Sequence, residues 1–568
     1  MRAGYSQAFV GTIGALLAIG FLGGAGGEGN VGPERHLQYW IDEGVVPPAT
    51  SLLETLDATT SEDRQFVLTE TGPLLAVAVS GRMHLENARS SVRIVLVDTE
   101  LHEHLVAEIY PLLAGARDLA FEDICRETCL LPAVRAHRLR VAVVGGSLEL
   151  ARVRLLLAEA PLPDDLAARR DRIRAAQSDE IVAGLNRSIR ENVLGWTAGE
   201  TTWSRRTFDQ KCQVTPGGVP PVLHGYDHYV GGIYSFPDYL PADEGGGGSP
   251  TGHFDWREKH DADLAGSPYF DGDPAGSGWM TPVRSQACGD CWAHATVGVA
   301  EALANLRLNR HVDADLSEQA MLSCSAAGSC DGGRVTLSFD YMARDGVVDE
   351  TCFPYEGTEA PCSRGCANPR VKAYAGAYVD VPYELGASEI RDALVRHGPL
   401  VLGIRSLWHL CILVGYDRDP ADGQRIWIIK NSWGEDWGEQ GYGFLKLPVT
   451  DIYAVYALLS VDLLRDDQPL ANVCRDADRD GYAAWGFKRA RPAGCATIAG
   501  LQDCNDADST LGPTLDDGRC APIPSDSSTP PDPVPPPTGG NSGGGGGASL
   551  GLLGAAGLAW CLWRSRLG

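Results

Sequence analysis

Cys288-Gly289-Asp290-Cys291-Trp292-Ala293-His294 opens an apolar run in which Trp292, Ala295, Val299, Leu303 and Leu306 recur at helical spacing. Cys291 therefore falls in the first turn of a buried helix. Unpaired N–H groups and a partial positive charge at that end favour thiolate over thiol, the form that attacks electrophiles. Taken alone, the Cys-x-x-Cys spacing is open to half a zinc site, a redox pair or a nucleophile. A nucleophile needs a base, and two downstream segments could complete the set. His409 leads the run Leu410-Cys411-Ile412-Leu413-Val414-Gly415-Tyr416, which reads as a buried strand. Asn431 follows a second strand-like run, Ile426 to Lys430, and opens Asn431-Ser432-Trp433-Gly434. Alone, either residue has a plainer reading, as a core histidine or a turn asparagine. Together with Cys291 they can act as a triad.

The chain also carries Leu316-Ser317-Glu318-Gln319, Cys330-Asp331-Gly332-Gly333 and Pro354-Tyr355-Glu356-Gly357. On these motifs and their order, residues from about 250 to 462 resemble the papain-like cysteine peptidases. The resemblance implies an α+β domain with a helical half and a β-barrel-like half. It also implies peptide or protein substrates and no catalytic cofactor. Cys291 would give its proton to His409, and the thiolate and imidazolium pair would attack a peptide carbonyl. Asn431 would orient the ring, as the third group of a triad does. His409 would then protonate the leaving amine, and water would release the acyl group. The Cys291 N–H and the Gln286 side chain would hold the oxyanion, and Trp433 would shield the His–Asn contact. The same resemblance pairs Cys288 with Cys330 and Cys324 with Cys362. We further expect Cys352 with Cys366, and a buried, free Cys411.

The chain departs from the family's pattern in places. Only Ala287 separates Gln286 from Cys288, where the family usually has a pair of residues. Either the loop reaches differently or Ser285 takes the glutamine's slot. His294 stands where an aromatic residue is common, Trp408 where Asn or Asp is usual, and the stretch from Pro399 to His409 is much shorter.

The elements around this core follow from composition. A chain of 568 residues holds about three or four domains of ordinary size. A net charge of −26 argues against a nucleic-acid partner, since phosphate binding wants clustered Lys and Arg. Sixteen cysteines point to an oxidising compartment. Arg2, an apolar centre from Ala8 to Leu22 and small residues to Gly27 read as a signal peptide over 1–27, with a retained anchor as the alternative.

Residues 33–160 contain strand-length runs at Leu74–Val79, Val92–Val97, Leu139–Val144 and Val153–Leu157, the pattern of a small β-sandwich. Cys125 and Cys129 would bridge a loop there, and His102-Glu103-His104 reads as solvated polar residues rather than a metal site. Residues 164–250 read as propeptide-like. Asp164 to Glu191 is charged and helical in pattern, with Ile173, Ile181, Leu185 and Ile189 apolar. Glu191 to Gly199 is similar to the propeptide of the cathepsin B branch, which Cys212 also fits. Such a segment laid along the cleft would keep the enzyme a zymogen; a helical linker is the plainer alternative. Gly245-Gly246-Gly247-Gly248-Ser249 is a flexible linker near which cleavage would fall. The peptidase domain would run from 251 to 465, beginning with Phe254-Asp255-Trp256-Arg257-Glu258 and carrying a surface insertion between Gly266 and Gly278.

Residues 470–522 form an Asp- and Cys-rich module. Asp476, Asp478 and Asp480 precede Gly481 as in the first half of a calcium loop, but Phe487 stands where the closing acidic ligand would be. Asp503, Asp506 and Asp508 could supply the remaining oxygens, with Cys474, Cys495, Cys504 and Cys520 stapling the fold. The module resembles the aspartate-rich metal-binding repeats of secreted bacterial proteins, which implies a structural Ca2+. A Pro- and Gly-rich spacer at 523–547 follows. The tail at 548–568, apolar and then arginine-bearing, resembles a bacterial C-terminal sorting tag. A short anchor is the alternative, and either places the protein at the cell envelope. The resulting expectation is a secreted or surface-tethered, monomeric cysteine peptidase made as a zymogen. The alternatives are an inactive surface-binding protein of the same fold and an acyl transferase using the same thiolate.

Overall fold

The computed structural model describes residues 36–523, except 69–71, 113–114, 160, 216–217, 238, 240–252, 258–277, 488, 504–505, 507–508 and 515–519. The signal peptide, the Gly245–Ser249 linker, nearly all of the Gly266–Gly278 insertion, Asp508, the spacer beyond its first residue and the tail lie outside the described residues. Among the described residues no helix is long and apolar enough to cross a membrane.

Residues 50–157 fold into two antiparallel four-stranded sheets. One runs in the order Thr50–Thr60, Gly146–Leu157, Leu74–Leu85, Arg117–Ile124; the other in the order Arg64–Val67, Ala136–Val144, Ser91–Asp98, Glu103–Ile109. Val77, Val79, Ile94, Val141 and Leu155 fill the space between them. Leu74–Leu85 and Ser91–Asp98 are buried on both faces over most of their length, which makes them continuous apolar runs in sequence. Thr50–Thr60, an outer strand, alternates half-buried with exposed residues and includes a bulge between Thr55 and Ala58. The Cys125–Cys129 disulfide closes the turn after the last strand of the first sheet. Glu103 opens a strand and grips Arg140, while His104 Nε2 lies 3.1 Å from Asp98 Oδ2.

The Leu166–Glu191 helix bridges two cores. Ile173 packs with Leu37, Trp40 and Leu75 beside the sandwich, whereas Ile181, Leu185 and Ile189 join the large core of the following domain. Beyond this helix the region called propeptide-like is no longer helical in the main. Trp196–Ala198 and Tyr229–Ser235 pair with each other, and the latter adds in parallel to the edge strand Tyr442–Lys446. The sheet of the peptidase-like domain therefore begins before residue 251. Gly231 and Gly232 hide this strand in the sequence. Gly232 has φ +80°, and a Cβ there would meet the Gly195 carbonyl oxygen at 2.3 Å.

That sheet continues through Arg425–Lys430, His409–Arg418, Leu400–Ile404, Ile452–Leu458 and Tyr378–Asp380, with Phe254–Asp255 paired on His409–Arg418. Against it packs the Cys291–Leu308 helix, buried along every residue except Arg307. Buried on every side, the helix has no solvated face, so its sequence shows little amphipathic contrast, and His294, Thr296, Glu301 and Asn305 are buried in it. Glu318–Cys324 and Val335–Arg344 complete the helical half. Disulfides join Cys288 to Cys330, Cys324 to Cys362 and Cys352 to Cys366, and Cys411 is buried and free.

Residues 470–514 dock on the C-terminal end of the buried helix. The Val473 and Phe487 N–H groups donate to the Leu308 and Leu306 carbonyls at 3.1 and 2.9 Å, so the module helps to satisfy the carbonyls of the last helical turn. Phe487 is buried against Trp256, so the position that lacks a calcium ligand is a core position. Cys474 pairs with Cys495.

Candidate active site

Cys291 is the first residue of its helix, with Asp290 in the N-cap position. His409 opens the strand packed against that helix, and Asn431 directly follows the neighbouring strand, whose register pairs Lys430 with Ile412. His409 Nε2 lies 2.7 Å from Asn431 Oδ1. That oxygen also accepts the Ser432 N–H at 2.9 Å, so Nε2 must carry the proton. Nδ1 of the neutral ring is then the free base. The Trp433 ring stands 5.1 Å from the imidazole and is buried, excluding water from the His–Asn contact. The Leu410 N–H, next to His409 in sequence, reaches the Cys291 sulfur.

Cys291, His409 and Gln286 line one small cavity. Gln286 Oε1 accepts the Ser432 hydroxyl at 2.6 Å, and Nε2 donates to the Cys288 carbonyl at 2.9 Å. One N–H of this amide remains to meet an oxyanion. Ser285 instead makes a backbone bridge to Trp433, so the shortened step to Cys288 leaves Gln286, not Ser285, beside the thiol. The short stretch before His409 is a tight hairpin in which Ile404 pairs directly with His409. Trp408 closes it at φ +47° and is exposed.

The ion pair expected from the sequence is not the state favoured here. Burial pushes the Cys291 thiol up to about 12 and the His409 imidazolium down to about 4, so both side chains are neutral at ordinary pH. The helix start favours thiolate, but loss of water outweighs it.

Residues 200–224 are what removes that water. Trp203 stacks on Trp433 with ring centroids 4.1 Å apart and planes 3° from parallel. Arg206 lies 4.5 Å over the Trp203 ring and donates to the Gln286 carbonyl at 2.6 Å. Val214, Pro220 and Leu223 close the cavity over Cys291 and His409. The sandwich holds this cover from behind. Glu127 accepts the Phe208 N–H at 2.7 Å, Arg93 donates to the Pro220 carbonyl at 2.7 Å, and Tyr110 meets His224 edge-on at 5.0 Å. Periodicity marks none of the covering residues Trp203, Arg206, Pro220 and Leu223 in the sequence, because they lie in irregular segments, and although Arg93 falls in a predicted strand nothing in the sequence links it to the cover.

The acidic residues of the C-terminal module also converge. Asp476, Asp478 and Asp506 form one group and Asp478, Asp480 and Asp503 another, the oxygens of each within 4.8 Å of one another. Arg475 pairs with Asp506 at 2.6 Å. Burial, and then the neighbouring carboxylates, raise Asp480 to about 6. Hard oxygen donors in this number suit Ca2+. Asp508 lies outside the described residues.

Comparison with known proteins places these features. Residues 270–409 and 402–451 match the family described as papain family cysteine protease. The chain is 30% identical over 197 residues to the senescence-specific cysteine protease SAG12 of Arabidopsis thaliana, covering 31% of this chain and 55% of that one. It is 33% identical over 188 residues to the viral cathepsin of Adoxophyes honmai nucleopolyhedrovirus, covering 29% and 54%. Against cysteine proteinase 15A of Pisum sativum it is 32% identical over 226 residues, covering 33% and 56%. The chain thus spans about half the length of the curated relatives it matches. The domain that carries Cys291, His409 and Asn431 is a papain-family cysteine protease domain.

Proposed function

We propose that this chain is the zymogen of a secreted or surface-tethered cysteine peptidase. Cys291 is the nucleophile, His409 its base, Asn431 the orienting group, and the Cys291 N–H with Gln286 the oxyanion donors. The observation that carries the reading is the stack of Trp203 on Trp433 beside the His409–Asn431 contact, which closes an assembled site. Once the cover leaves, water returns to the cleft, and the helix start and His409 favour the thiolate that burial suppresses. The likeness of Glu191–Gly199 to the cathepsin B propeptide belongs to this reading, as does envelope attachment through the tail.

We also propose that the C-terminal module holds a structural Ca2+ between the Asp476–Asp480 loop and Asp503 and Asp506. The ion would relieve the mutual repulsion of these carboxylates and cross-link two segments that share little apolar core. It takes no part in peptide hydrolysis.

The test is to process the full chain, treat it with a thiol-directed epoxide, and assay a peptide library by mass spectrometry. Cys291 should be labelled and peptides cut, and Cys291→Ala should abolish both. A processed chain that neither labels nor cleaves favours a binding protein of the same fold. One that labels and transfers acyl groups to amines faster than to water is a transferase.

A further inference from the structure

His294 lies one helical turn beyond Cys291 and is buried between two buried carboxylates. Its Nε2 is 3.7 Å from Asp290 Oδ2 and its Nδ1 is 3.4 Å from Glu318 Oε1. The Tyr355 hydroxyl donates to the same Asp290 oxygen at 2.7 Å, and its ring meets the imidazole edge-on at 5.1 Å. Burial opposes a charge on His294, but Asp290 and Glu318 together outweigh it and raise the imidazole above its ordinary value. Other charges face the group from each side. Arg284, Glu301 and Lys430 line the interior cavity behind it, Arg206 of the cover approaches Asp290, and His409 feels the His294 charge from its strand.

Asp290 directly precedes Cys291, and its carboxylate opposes a negative charge on that sulfur. An uncompensated anion beside a nucleophile that must itself become an anion works against reaction. We infer that His294 is a positioning residue whose cation neutralises Asp290 and so keeps the Cys291 thiolate attainable. The aromatic residue that the family resemblance leads one to expect here would fill the space without supplying this charge. The inference deepens the assignment of Cys291 as nucleophile, but its test reads the thiol and not peptide cleavage.

The test compares His294→Phe, Asp290→Asn and the double variant in the full-length chain. The Cys291 peptide is followed by mass spectrometry as methyl methanethiosulfonate modifies it between pH 6 and 9. His294→Phe should slow modification about tenfold above the range in which Asp290 titrates, and Asp290→Asn should speed it by a similar factor. The double variant should return near the parent rate. A purely structural role for His294 predicts the opposite sign, because a loosened helix start exposes the sulfur. Unchanged or faster modification in His294→Phe overturns the inference. Where that variant fails to fold, an unchanged rate in Asp290→Asn does the same. A chain that reacts as described yet cleaves no peptide would refute the peptidase reading and leave the electrostatic one standing.

Discussion

Trp203→Ala should uncover the active site without touching any group that performs chemistry. Trp203 is buried, stacked on Trp433 with centroids 4.1 Å apart, and covered on its ring by Arg206 at 4.5 Å. Truncating a buried tryptophan costs about 3–5 kcal/mol, which includes about 0.5–1.5 kcal/mol for the aromatic pair. Trp203 becomes solvated when the cover lifts, so the closed state bears this loss and the open state does not. Taking about 3 kcal/mol, the open population rises roughly a hundredfold. The rate at which iodoacetamide modifies Cys291 in the full-length chain reads that population when opening and closing are fast. Trp203→Phe retains part of the stack and should fall between. Trp40→Ala is the control, because Trp40 is as well buried but belongs to the small core beside the sandwich. If Trp203→Ala reacts at the parent rate, the segment does not cover the thiol. If Trp40→Ala accelerates the reaction equally, exposure follows general loosening and the reasoning fails.

Acid should also open the cover. Burial depresses His409 to about 4 and lowers His224 and His228 as well. The open state then binds more protons as pH falls below about 6.5, so closure is fully favoured above that pH and weakens towards pH 4 by up to about 3 kcal/mol from His409. Hydrogen exchange of residues 196–236, corrected for intrinsic rates, should show less protection at pH 4.5 than at pH 7; equal protection refutes this. Glu127→Ala removes acceptors for the Phe208 and Leu105 N–H groups, at 2.7 and 2.9 Å. Each such charged bond contributes about 1.5–3 kcal/mol. Iodoacetamide modification of Cys291 should rise at least tenfold, while the processed enzyme's kcat/KM stays at the parent value. For the C-terminal module, Ca2+ at about a hundred times its Kd should stabilise the fold by about 2.7 kcal/mol, seen as a higher Tm. Asp480→Asn should largely remove that gain, and a Tm unaffected by Ca2+ or chelator counts against the site.

The proposed catalytic set was legible because each member sits at a regular element's end. Cys291 begins an apolar helical run, and His409 and Asn431 flank short apolar runs that read as buried strands. The sandwich was legible in its buried strands and not in Thr50–Thr60, whose Thr-rich alternation gives little apolar signal. The Tyr229–Ser235 strand was hidden by its two glycines, and its partner lies more than two hundred residues away in Tyr442–Lys446. The departure at His294 was visible as a residue type, but its meaning depends on Glu318 and Tyr355, which the fold brings from separate segments.

The sequence by itself singled out the proposed nucleophile, its base and the orienting asparagine, since short motifs carry those residues at element ends. It also offered the two acidic segments, while the Cys288–Cys330 and Cys324–Cys362 pairs came from the family resemblance and were found in the fold. Only tertiary structure decided the state of the site. Protonation depends on which residues exclude water, and here those residues come from segments far away in sequence: Trp203 and Pro220 over the cleft, Glu127 and Arg93 behind them. Spacing along a chain encodes local geometry, whereas burial, and with it the charge on Cys291 and His409, is a property of the assembled fold.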